Sequence, residues 1–381
     1  MKIVVVGAGN AGCFAALHYG EFTKYKWPWL TESVEVELIH NPDILPEKVG
    51  QATFQEAPNF LYRSIGFDWY NNKSHSTPKT GILYEGWGKA NEKWFHSFPA
   101  GEVAMHFCPS EMQKNILNSG VFKVTEGDIH PQDVDADYVF DCRGKPTDFT
   151  DYDKLENPIN AVILGKPNWD ISALWTRCIA TPDGWTFVIP THRDSPSFQG
   201  SVGYLYNQDI TSKEDAEKNF LDMFDVDISG HFSFNNYIAK NPIIDDRIFL
   251  NGNRLFFLEP LEATALQSYM KVNRYIFDFI FHKNITSELL KSKIHLLIEQ
   301  IQNFVLWHYH FGSQYDTPFW EYAKKLTFND YQFRLNLNQV KEQIQKEGDM
   351  WGQLEVDLTK TVYGQWSLRS IKNWYIGMGE K

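Results

Sequence analysis

Apolar runs near the start of the chain predict β-strands. Residues 2–6 form a continuous β-branched run typical of a strand buried on both faces, and a second strand is predicted at 34–39. Between them, residues 10–20 have a helical pattern that begins directly after a Gly-rich turn. Strand, helix and strand in this order predict a βαβ unit in an α/β fold.

The later pattern alternates strands and helices and becomes mostly helical beyond residue 285. Further strands are predicted at 81–84, 121–126, 138–141, 185–189, 200–206 and 248–251. Further helices are predicted at 51–66, 110–119, 212–224 and 262–281. The predicted fold class is therefore α/β with α+β features, in which a Rossmann-type βαβ core carries a helical subdomain for the substrate.

The Gly-rich turn places glycines at positions 7, 9 and 12. Gly7 permits the tight turn, Gly9 lets the backbone approach a pyrophosphate, and Gly12 lets the helix pack close to the sheet. The pyrophosphate would lie at the helix N-terminus, near Ala11, where unpaired N–H groups favour negative charge. A purely structural turn is the alternative, but the preceding strand and the following helix favour dinucleotide binding.

The ribose-contacting position does not decide between NAD and FAD. An acidic residue usually closes the second strand, but His40 and Asn41 stand there, and Glu37 lies inside the strand. Two later features favour FAD because they resemble contacts in flavin monooxygenase folds of the GR2 type. They are the strand end at Asp141-Cys142-Arg143-Gly144 and the strand that leads into Gly252-Asn253.

We expect one compact unit over residues 1–381, with an FAD-binding core that is discontinuous in sequence. The core is expected at about 1–60, 100–150 and 240–285, and the substrate-side and helical part at about 61–99, 151–239 and 286–381.

Composition narrows the range of partners. The net charge of −12 argues against nucleic acid and against an anionic membrane surface. The four cysteines are far apart and have neither CxxC nor metal-ligand spacing, so we expect free thiols in a reducing cytoplasm and no metal site. No apolar run is long enough to span a membrane. Association into a homo-oligomer is left open.

Five segments, in chain order, resemble flavin-dependent halogenases of the tryptophan-halogenase type. They are similar to the family's V-G-E-A-T, F-K-x-G-I-x-F-x-x-W, G-W-x-W-x-I-P, F-L-E-P-L-E-A/S-T and H-Y…R-x-D-T-P-F-W, and they lie at 49–53, 78–87, 184–190, 257–265 and 308–320. The chain departs from the family pattern at Gln51, Phe187 and Gln314. It is shorter than typical tryptophan halogenases and resembles phage-encoded members in its size.

The resemblance implies a reaction in which reduced FAD and oxygen convert a halide to hypohalous acid, which then halogenates an electron-rich ring in a separate pocket. The lysine of the second segment, Lys79, would hold the oxidant through its ammonium group or react with it as an amine. Glu262 would stabilise the charged ring and accept its proton. Taken alone, Lys79 could be a surface lysine and Glu262 a charge at a helix N-terminus.

The resemblance also assigns residues around the flavin. Cofactor contacts are expected from Val49, Gly50 and Ala52 in the first segment, in addition to Gly7, Gly9, Ala11, Gly12, Gly252 and Asn253. Halide would bind to the backbone N–H groups of Thr264 and Ala265 at a helix start. A wall between the flavin and substrate chambers would consist of Trp185, Phe187 and Pro190. His308 and His310 are interpreted as structural residues and not as metal ligands.

Other flavoprotein functions share some of these signals. An FAD-dependent aromatic hydroxylase would have the same cofactor contacts without needing Lys79, and a reductase, cyclase or non-catalytic flavoprotein would also retain them. No second nicotinamide-binding motif follows the first Gly-rich turn. For a halogenase this implies that a separate flavin reductase supplies FADH2, and that the other substrates are a halide and a small aromatic molecule such as a phenol or an indole.

Overall fold

The structure, a computed structural model, describes most of the chain, and all structural statements refer to these stretches. They are residues 1–24, 33–47, 49–70, 72–89, 91–99, 101–190, 200–326, 330–347 (with side chains to 342) and 361–379.

The N-terminal βαβ unit is present as predicted. Strand β1 (Lys2–Val6) leads into helix α1 (Asn10–Lys24), and β2 (Glu35–His40) then pairs with β1 in parallel. All of β1 beyond its first residue is buried, as expected for a central strand. The helix continues four residues beyond the predicted end at residue 20.

The remaining strands of the described stretches are, in chain order, β3 (Gln51–Ala52), β4 (Thr77–Lys79), β5 (Gly81–Glu85), β6 (Lys93–Ser97), β7 (Ala104–Phe107), β8 (Lys123–Glu126), β9 (Tyr138–Asp141), β10 (Tyr152–Lys154), β11 (Ala161–Pro167), β12 (Thr176–Thr181), β13 (Gly184–Ile189), β14 (Ser201–Tyr206), β15 (Val226–Ser233), β16 (Tyr237–Ala239), β17 (Ile243–Ile244), β18 (Ile248–Leu250), β19 (Phe256–Phe257), β20 (Thr361–Tyr363) and β21 (Trp366–Ser367). A strand is found at each predicted strand position, and thirteen further strands were not predicted, among them β11, β12 and β15 with six to eight residues each.

Two large sheets form the framework. The first has the order β17-β18-β9-β1-β2-β8 and is parallel except at β17. The second, with the order β15-β11-β14-β13-β12-β5-β6, is mainly antiparallel. A small sheet with the order β3-β7-β4 and another with the order β10-β16-β19 complete the core, and β20 and β21 form a hairpin. Parallel and antiparallel sheets together with helices make the predicted α/β class with α+β features.

Eight helices follow α1 in the described stretches. They are α2 (Ala57–Ile65), α3 (Pro109–Leu117), α4 (Lys213–Met223), α5 (Thr264–Phe277), α6 (Ser287–His310), α7 (Pro318–Ala323), α8 (Tyr331–Glu347) and α9 (Leu368–Gly377). Within these same stretches no helix is long and apolar enough to cross a bilayer.

Two predicted helix boundaries were wrong. The segment 51–66 begins with strand β3, and its helix begins only at Ala57, because the first residues pair with β7. The helix predicted at 262–281 begins at Thr264, since Glu262 and Ala263 have φ angles of 67° and 54°. Positive φ angles at two consecutive non-glycine residues are uncommon and strained. This turn redirects the Glu262 side chain away from the helix start.

Candidate active site

The Gly-rich turn requires glycine at its first and last positions. Gly7 has φ 105°, and a Cβ there would lie 2.5 Å from the Cys142 carbonyl oxygen. A Cβ on Gly12 would lie 1.9 Å from the Gly7 carbonyl oxygen. At Gly9, by contrast, no described atom lies within 4 Å of the Cβ position. The backbone at Gly9 therefore faces open space, as the approach of a pyrophosphate requires.

A second glycine-dependent contact brings the 252–253 segment against the start of α1. Gly252 has φ 65°, and a Cβ on it would lie 2.5 Å from the Cβ of Ala11. The neighbouring Asn253 accepts a 2.9 Å hydrogen bond from Tyr269 through its side-chain oxygen. Since β1, β9 and β18 are parallel neighbours, their carboxyl ends lie along one edge of the sheet. The residues present at this edge fit the phosphates and ribityl chain of FAD.

Glu37 is occupied by other partners. Its carboxylate pairs with Lys123 at 2.9 Å and with Lys2 at 3.3 Å, and it accepts a hydrogen bond from Thr125. Burial acts to raise the pKa of Glu37, but these hydrogen bonds outweigh burial and lower the pKa to about 2. Glu37 therefore belongs to an ion-pair cluster at the edge of the sheet and is not free to bind a ribose.

One strand connects the flavin-side segment with the Lys79 segment. Ala52 on β3 lies opposite His106 on β7, and Lys79 on β4 lies opposite Ala104 on the same strand. Gly50 donates its N–H to the Ser201 hydroxyl at 2.9 Å, which fixes the start of the first segment on β14. Val49 next to it is half-buried.

Lys79 is a buried lysine and not a surface one. Its exposed fraction is 1%, and its Nζ lies 5.5 Å from the ring centroid of Phe98. Among the described residues its ammonium makes no hydrogen bond or ion pair. Burial lowers the pKa of Lys79 to about 8, although the nearby Glu262 carboxylate and Cys178 act to raise it. The amine is therefore accessible close to neutral pH.

Glu262 lies in an aromatic cage, and its side chain is 5% exposed. Its Oε1 accepts the indole N–H of Trp374 at 2.9 Å and the Tyr84 hydroxyl, while its Oε2 accepts the indole N–H of Trp366 at 3.3 Å. Burial acts to raise the pKa of Glu262, but the hydrogen bonds, first that of His308, lower it to about 2. The cage holds an ionised carboxylate away from water.

Two buried histidines lie beside this carboxylate. Nδ1 of His308 lies 2.6 Å from the Phe304 carbonyl oxygen, which can only accept, so this nitrogen carries a proton. Its Nε2 lies 3.4 Å from Oε1 of Glu262. Burial lowers the pKa of His308 and also that of His96, whose Nδ1 has no hydrogen-bond partner among the described residues.

The predicted chamber wall is anchored by a second buried carboxylate. Trp185 donates its indole N–H to Glu259 at 2.8 Å, and Tyr309 donates its hydroxyl at the same distance. The ring of Phe187 occupies the space where a Cβ on Gly203 would lie, 2.2 Å from that position. All three predicted wall residues, Trp185, Phe187 and Pro190, are buried. Burial raises the pKa of Glu259 to about 7.

The predicted halide residues lie at the start of α5, directly after Glu262. Thr264 is buried, and Ala265 is exposed. The first N–H groups of a 14-residue helix have no partner within the helix and can bind an anion. The structure thus places the flavin turn, the Lys79 strand and the Glu262 turn in one core, with the halide positions adjoining it.

Sequence reasoning missed several residues of the cage. Tyr84 and Glu259 lie inside segments that resemble the family, where the motif could have pointed to them. His308 was interpreted as structural only, and the structure adds its contact with Glu262. Trp366 and Trp374 had no signal in the sequence beyond the high aromatic content, because their place near Glu262 depends on the path of the C-terminal chain.

A sequence profile described as tryptophan halogenase matches residues 2–115 and 109–365. The chain belongs to the tryptophan halogenase family. The family resemblance inferred from the five segments is therefore confirmed. Tryptophan 7-halogenase RebH of Lentzea aerocolonigenes is 23% identical over 163 residues, which cover 41% of this chain and 30% of RebH. The chain thus matches less than a third of the length of this curated relative.

Solved structures share the fold over almost the whole chain. The tryptophan 5-halogenase MibH superimposes on 99% of this family member with a TM-score of 0.78 at 17% identity, covering 85% of MibH. Xcc4156, a flavin-dependent halogenase from Xanthomonas campestris, gives a TM-score of 0.76 at 17% identity and is covered to 88%. At such low identity the likeness establishes the fold, and the predicted α/β class is confirmed.

Proposed function

We propose that this family member is an FADH2- and O2-dependent halogenase that acts on an electron-rich aromatic ring, such as an indole or a phenol. The observation that carries the proposal is that two buried side chains of opposite charge, Lys79 and Glu262, lie near each other without forming an ion pair. Lys79 has a lowered pKa and no hydrogen-bond partner among the described residues, and it lies close enough to Glu262 to feel its charge. A lysine that is buried without a partner among the described residues is costly in a fold, and such groups are concentrated at functional sites.

The cofactor would be held at the carboxyl edge of the parallel sheet. Its pyrophosphate would contact the N–H groups from Gly9 to Gly12, and its ribityl chain would contact Gly252 and Asn253. The 49–52 segment would cover the ring system. Bound FADH2 would, with oxygen, supply the oxidising power that converts a halide to hypohalous acid. Because the chain has no second nicotinamide-binding motif, a separate flavin reductase would deliver the reduced cofactor.

The halide would be held by the backbone at the start of α5. The N–H groups of Thr264 and Ala265 point along the helix axis toward its N-terminal side, where the helix dipole favours an anion. Neither contact needs a side chain. The change from the glycine or serine of other members to Ala265 therefore leaves this site functional.

Lys79 would hold hypohalous acid at the substrate. With a pKa of about 8, its ammonium form predominates at pH 7 and donates a hydrogen bond to the oxygen of the oxidant. The ring carbon bonds to the halogen while the oxygen–halogen bond breaks, and the oxygen takes a proton from the Lys79 ammonium and leaves as water. This polarisation makes the halogen electrophilic without any metal ion. The proton that Glu262 takes from the ring then returns to Lys79.

Glu262 would accept the ring proton. Its pKa of about 2 keeps it ionised throughout the working pH range, so its negative charge stabilises the cationic ring before the proton leaves. The balance of the step is one ring C–H and one hypohalous acid converted to one carbon–halogen bond and one water. Tyr84 and Trp374 keep the carboxylate oriented through their hydrogen bonds.

Trp185 and Phe187 would separate the flavin from this chamber. A wall of this kind lets the small oxidant pass and prevents direct oxygen transfer from flavin to ring. The hydrogen bond from Trp185 to Glu259 fixes its indole in place. The division into a discontinuous FAD-binding core and a substrate part remains a prediction.

The proposal is tested by product analysis with the full-length protein. It is incubated with a flavin reductase, NADH, FAD, oxygen, bromide and either phenol or indole, and the products are examined by mass spectrometry. A product with the isotope doublet of bromine supports halogenation. A product that gains one oxygen and no bromine contradicts it and supports an aromatic hydroxylase.

Lys79→Ala provides the matching site test. It should abolish bromination while leaving the affinity for FAD within about threefold, because Lys79 does not lie in the Gly-rich turn. Lys123→Ala, which removes an exposed lysine from the edge strand β8, is the control and should brominate at the normal rate. Normal bromination by Lys79→Ala would show that the oxidant is held elsewhere.

A further inference from the structure

Two tryptophans donate hydrogen bonds to the carboxylate of Glu262, one to each oxygen. Trp374 donates to Oε1 of Glu262 at 2.9 Å, and Trp366 donates to Oε2 at 3.3 Å. The longer distance makes the second hydrogen bond the weaker one. Each oxygen of the carboxylate is thus covered by an indole from the C-terminal part of the chain.

Trp374 is fixed within the core. It is fully buried, and its ring centroid lies 4.1 Å from that of Tyr84, 3.5 Å from that of His308 and 4.7 Å from that of Trp94. Removing an indole from such a cluster would expose a large apolar area and lose several ring contacts. Trp374 is therefore a permanent wall of the cage.

Trp366 is also buried, with 5% exposed, but it is held by different contacts. It stacks on one ring, that of Phe304, with the centroids 3.8 Å apart, and it begins the second strand of the β20–β21 hairpin. The turn of this hairpin is attached by hydrogen bonds. Lys271 donates to the Gly364 carbonyl at 2.6 Å, and Gln365 donates to the Ser268 hydroxyl at 2.5 Å. Each such bond contributes little net stability because water can replace it.

The two strands of the hairpin are held by different contacts. Tyr363 is 1% exposed, and its hydroxyl is hydrogen-bonded to Asp330, which fixes the first strand. Gly364 follows with φ 52°, a conformation that favours glycine, and donates its N–H to the Gln300 side-chain oxygen at 2.8 Å. Apart from the stacking of Trp366, the turn is therefore held by side-chain hydrogen bonds.

We propose that Trp366 is an internal occupant of the substrate position at Glu262, and that a substrate reaches the carboxylate by replacing the Trp366 N–H with a donor of its own. This inference rests on the proposed function in that it takes Glu262 as the acceptor of the ring proton. The side chain of Glu262 is 5% exposed in the closed arrangement, so a ring cannot contact it while Trp366 is in place.

The geometry selects a substrate class. A molecule that displaces an indole N–H from an ionised carboxylate without loss must itself carry an N–H or O–H group on its ring. Indoles and phenols satisfy this condition. An alkylated ring of the same size leaves Oε2 without a partner, which costs free energy in a buried site. An N–H or O–H group on the ring, and not only the electron density of the ring, thus determines which aromatic molecules bind at Glu262.

The test measures binding of indole to the full-length, flavin-free protein by isothermal titration calorimetry, with 1-methylindole as the donor-free control. We expect indole to bind about tenfold more tightly than 1-methylindole, since a hydrogen bond to a charged group is lost in the control. Trp366→Phe keeps the ring stacking and removes the competing donor, so it should tighten indole binding by about three- to tenfold.

Trp374→Phe is the matched control for this variant. It removes the same N–H from the same carboxylate, but its ring stays in the buried wall, so it should not tighten indole binding. Lys271→Met is a second route to the same result. It frees the turn at Gly364 without touching the cage, and we expect it to tighten indole binding as well. It carries the test if Trp366→Phe fails to fold, as judged by circular dichroism.

Three results would overturn the proposal: no indole binding by any variant, equal binding of indole and 1-methylindole, or equal tightening by Trp366→Phe and Trp374→Phe. The test is independent of halogenation. If binding shifts as expected and no brominated product forms, the proposed function fails while the displacement of Trp366 stands. If bromination occurs and binding does not shift, the proposed function stands and the displacement of Trp366 fails.

Discussion

Glu259 and Glu262 are separated by two residues, and both are buried, yet their environments differ. Glu259 accepts hydrogen bonds from neutral donors of Trp185, Tyr309 and Asn157, and burial raises its pKa to about 7. At Glu262, burial acts in the same direction, but a denser set of donors and two neighbouring histidines lowers the pKa to about 2.

This difference shows that burial alone does not decide the charge of a carboxyl group. Neighbouring residues with donors and positive charge can reverse the effect of desolvation. Carboxyl groups whose environments drive their pKa values apart also identify different roles. The neutral network around Glu259 holds the chamber wall, and the charged network around Glu262 is suited to chemistry.

The largest expected effect comes from removing the negative charge of Glu262. Glu262→Gln should lower kcat for bromination by about 10²- to 10³-fold, because proton acceptance and charge stabilisation are both lost. Flavin affinity should stay the same. The measurement is the initial rate of brominated product formation at pH 7. The matched variant Glu259→Gln should lose less than tenfold, and an equal loss in both variants would remove the distinction between the two sites.

A smaller effect is expected on stability when Lys79 is replaced. The folded-state pKa of Lys79 is about 8, below the value of 10.5 for an exposed lysine, so the folded protein holds a proton there less readily than the unfolded chain. Lys79→Met should therefore stabilise the fold by about 3 kcal/mol at pH 7. The gain is full below pH 8 and disappears as the pH rises to about 10.5.

Denaturation by guanidinium at pH 7 and pH 10 measures this gain. A gain in stability together with complete loss of bromination is the expected pattern for a residue retained for function. A loss of stability at pH 7 would mean that Lys79 is stabilised by a contact that the described residues do not include.

The smallest expected effect is a change in stability when Glu259 is replaced. Its folded-state pKa is raised to about 7 from 4.5, so the wild-type fold loses stability as the pH rises from about 4.5 to 7. Glu259→Gln removes this loss. Relative to the wild type it should gain about 2.5 kcal/mol between pH 5 and pH 8, and urea denaturation at these two pH values measures the change. If the stability difference between Glu259→Gln and the wild type were the same at both pH values, the Glu259 carboxyl group would not have a raised pKa.

Local patterns made the N-terminal βαβ unit readable from the sequence. The buried run at 2–6, the glycines at 7, 9 and 12, and the helix after them are decided by neighbouring residues, and the structure agrees with each. The 262–281 helix was misplaced by two residues because the strain at Glu262 and Ala263 has no sequence signature. Burial of the side chain, and not helix propensity, determines that turn.

The candidate site was only partly predictable. Lys79 and Glu262 were found through segments that resemble a family, and taken alone Lys79 could have been a surface lysine and Glu262 a charge at a helix start. Trp366 and Trp374 were not found at all, since they meet Glu262 from more than 100 residues further along the chain. Contacts of this kind depend on how the C-terminal segment packs, and no local sequence pattern predicts this packing.

Strand β7 has a consequence for how such a protein can evolve. It pairs on one side with Ala52 of the flavin-side segment and on the other with Lys79. The spacing between these two segments is therefore fixed by main-chain hydrogen bonds and not by side chains. If the proposed function holds, loops elsewhere could change in length and sequence to suit new aromatic molecules while this spacing stays constant.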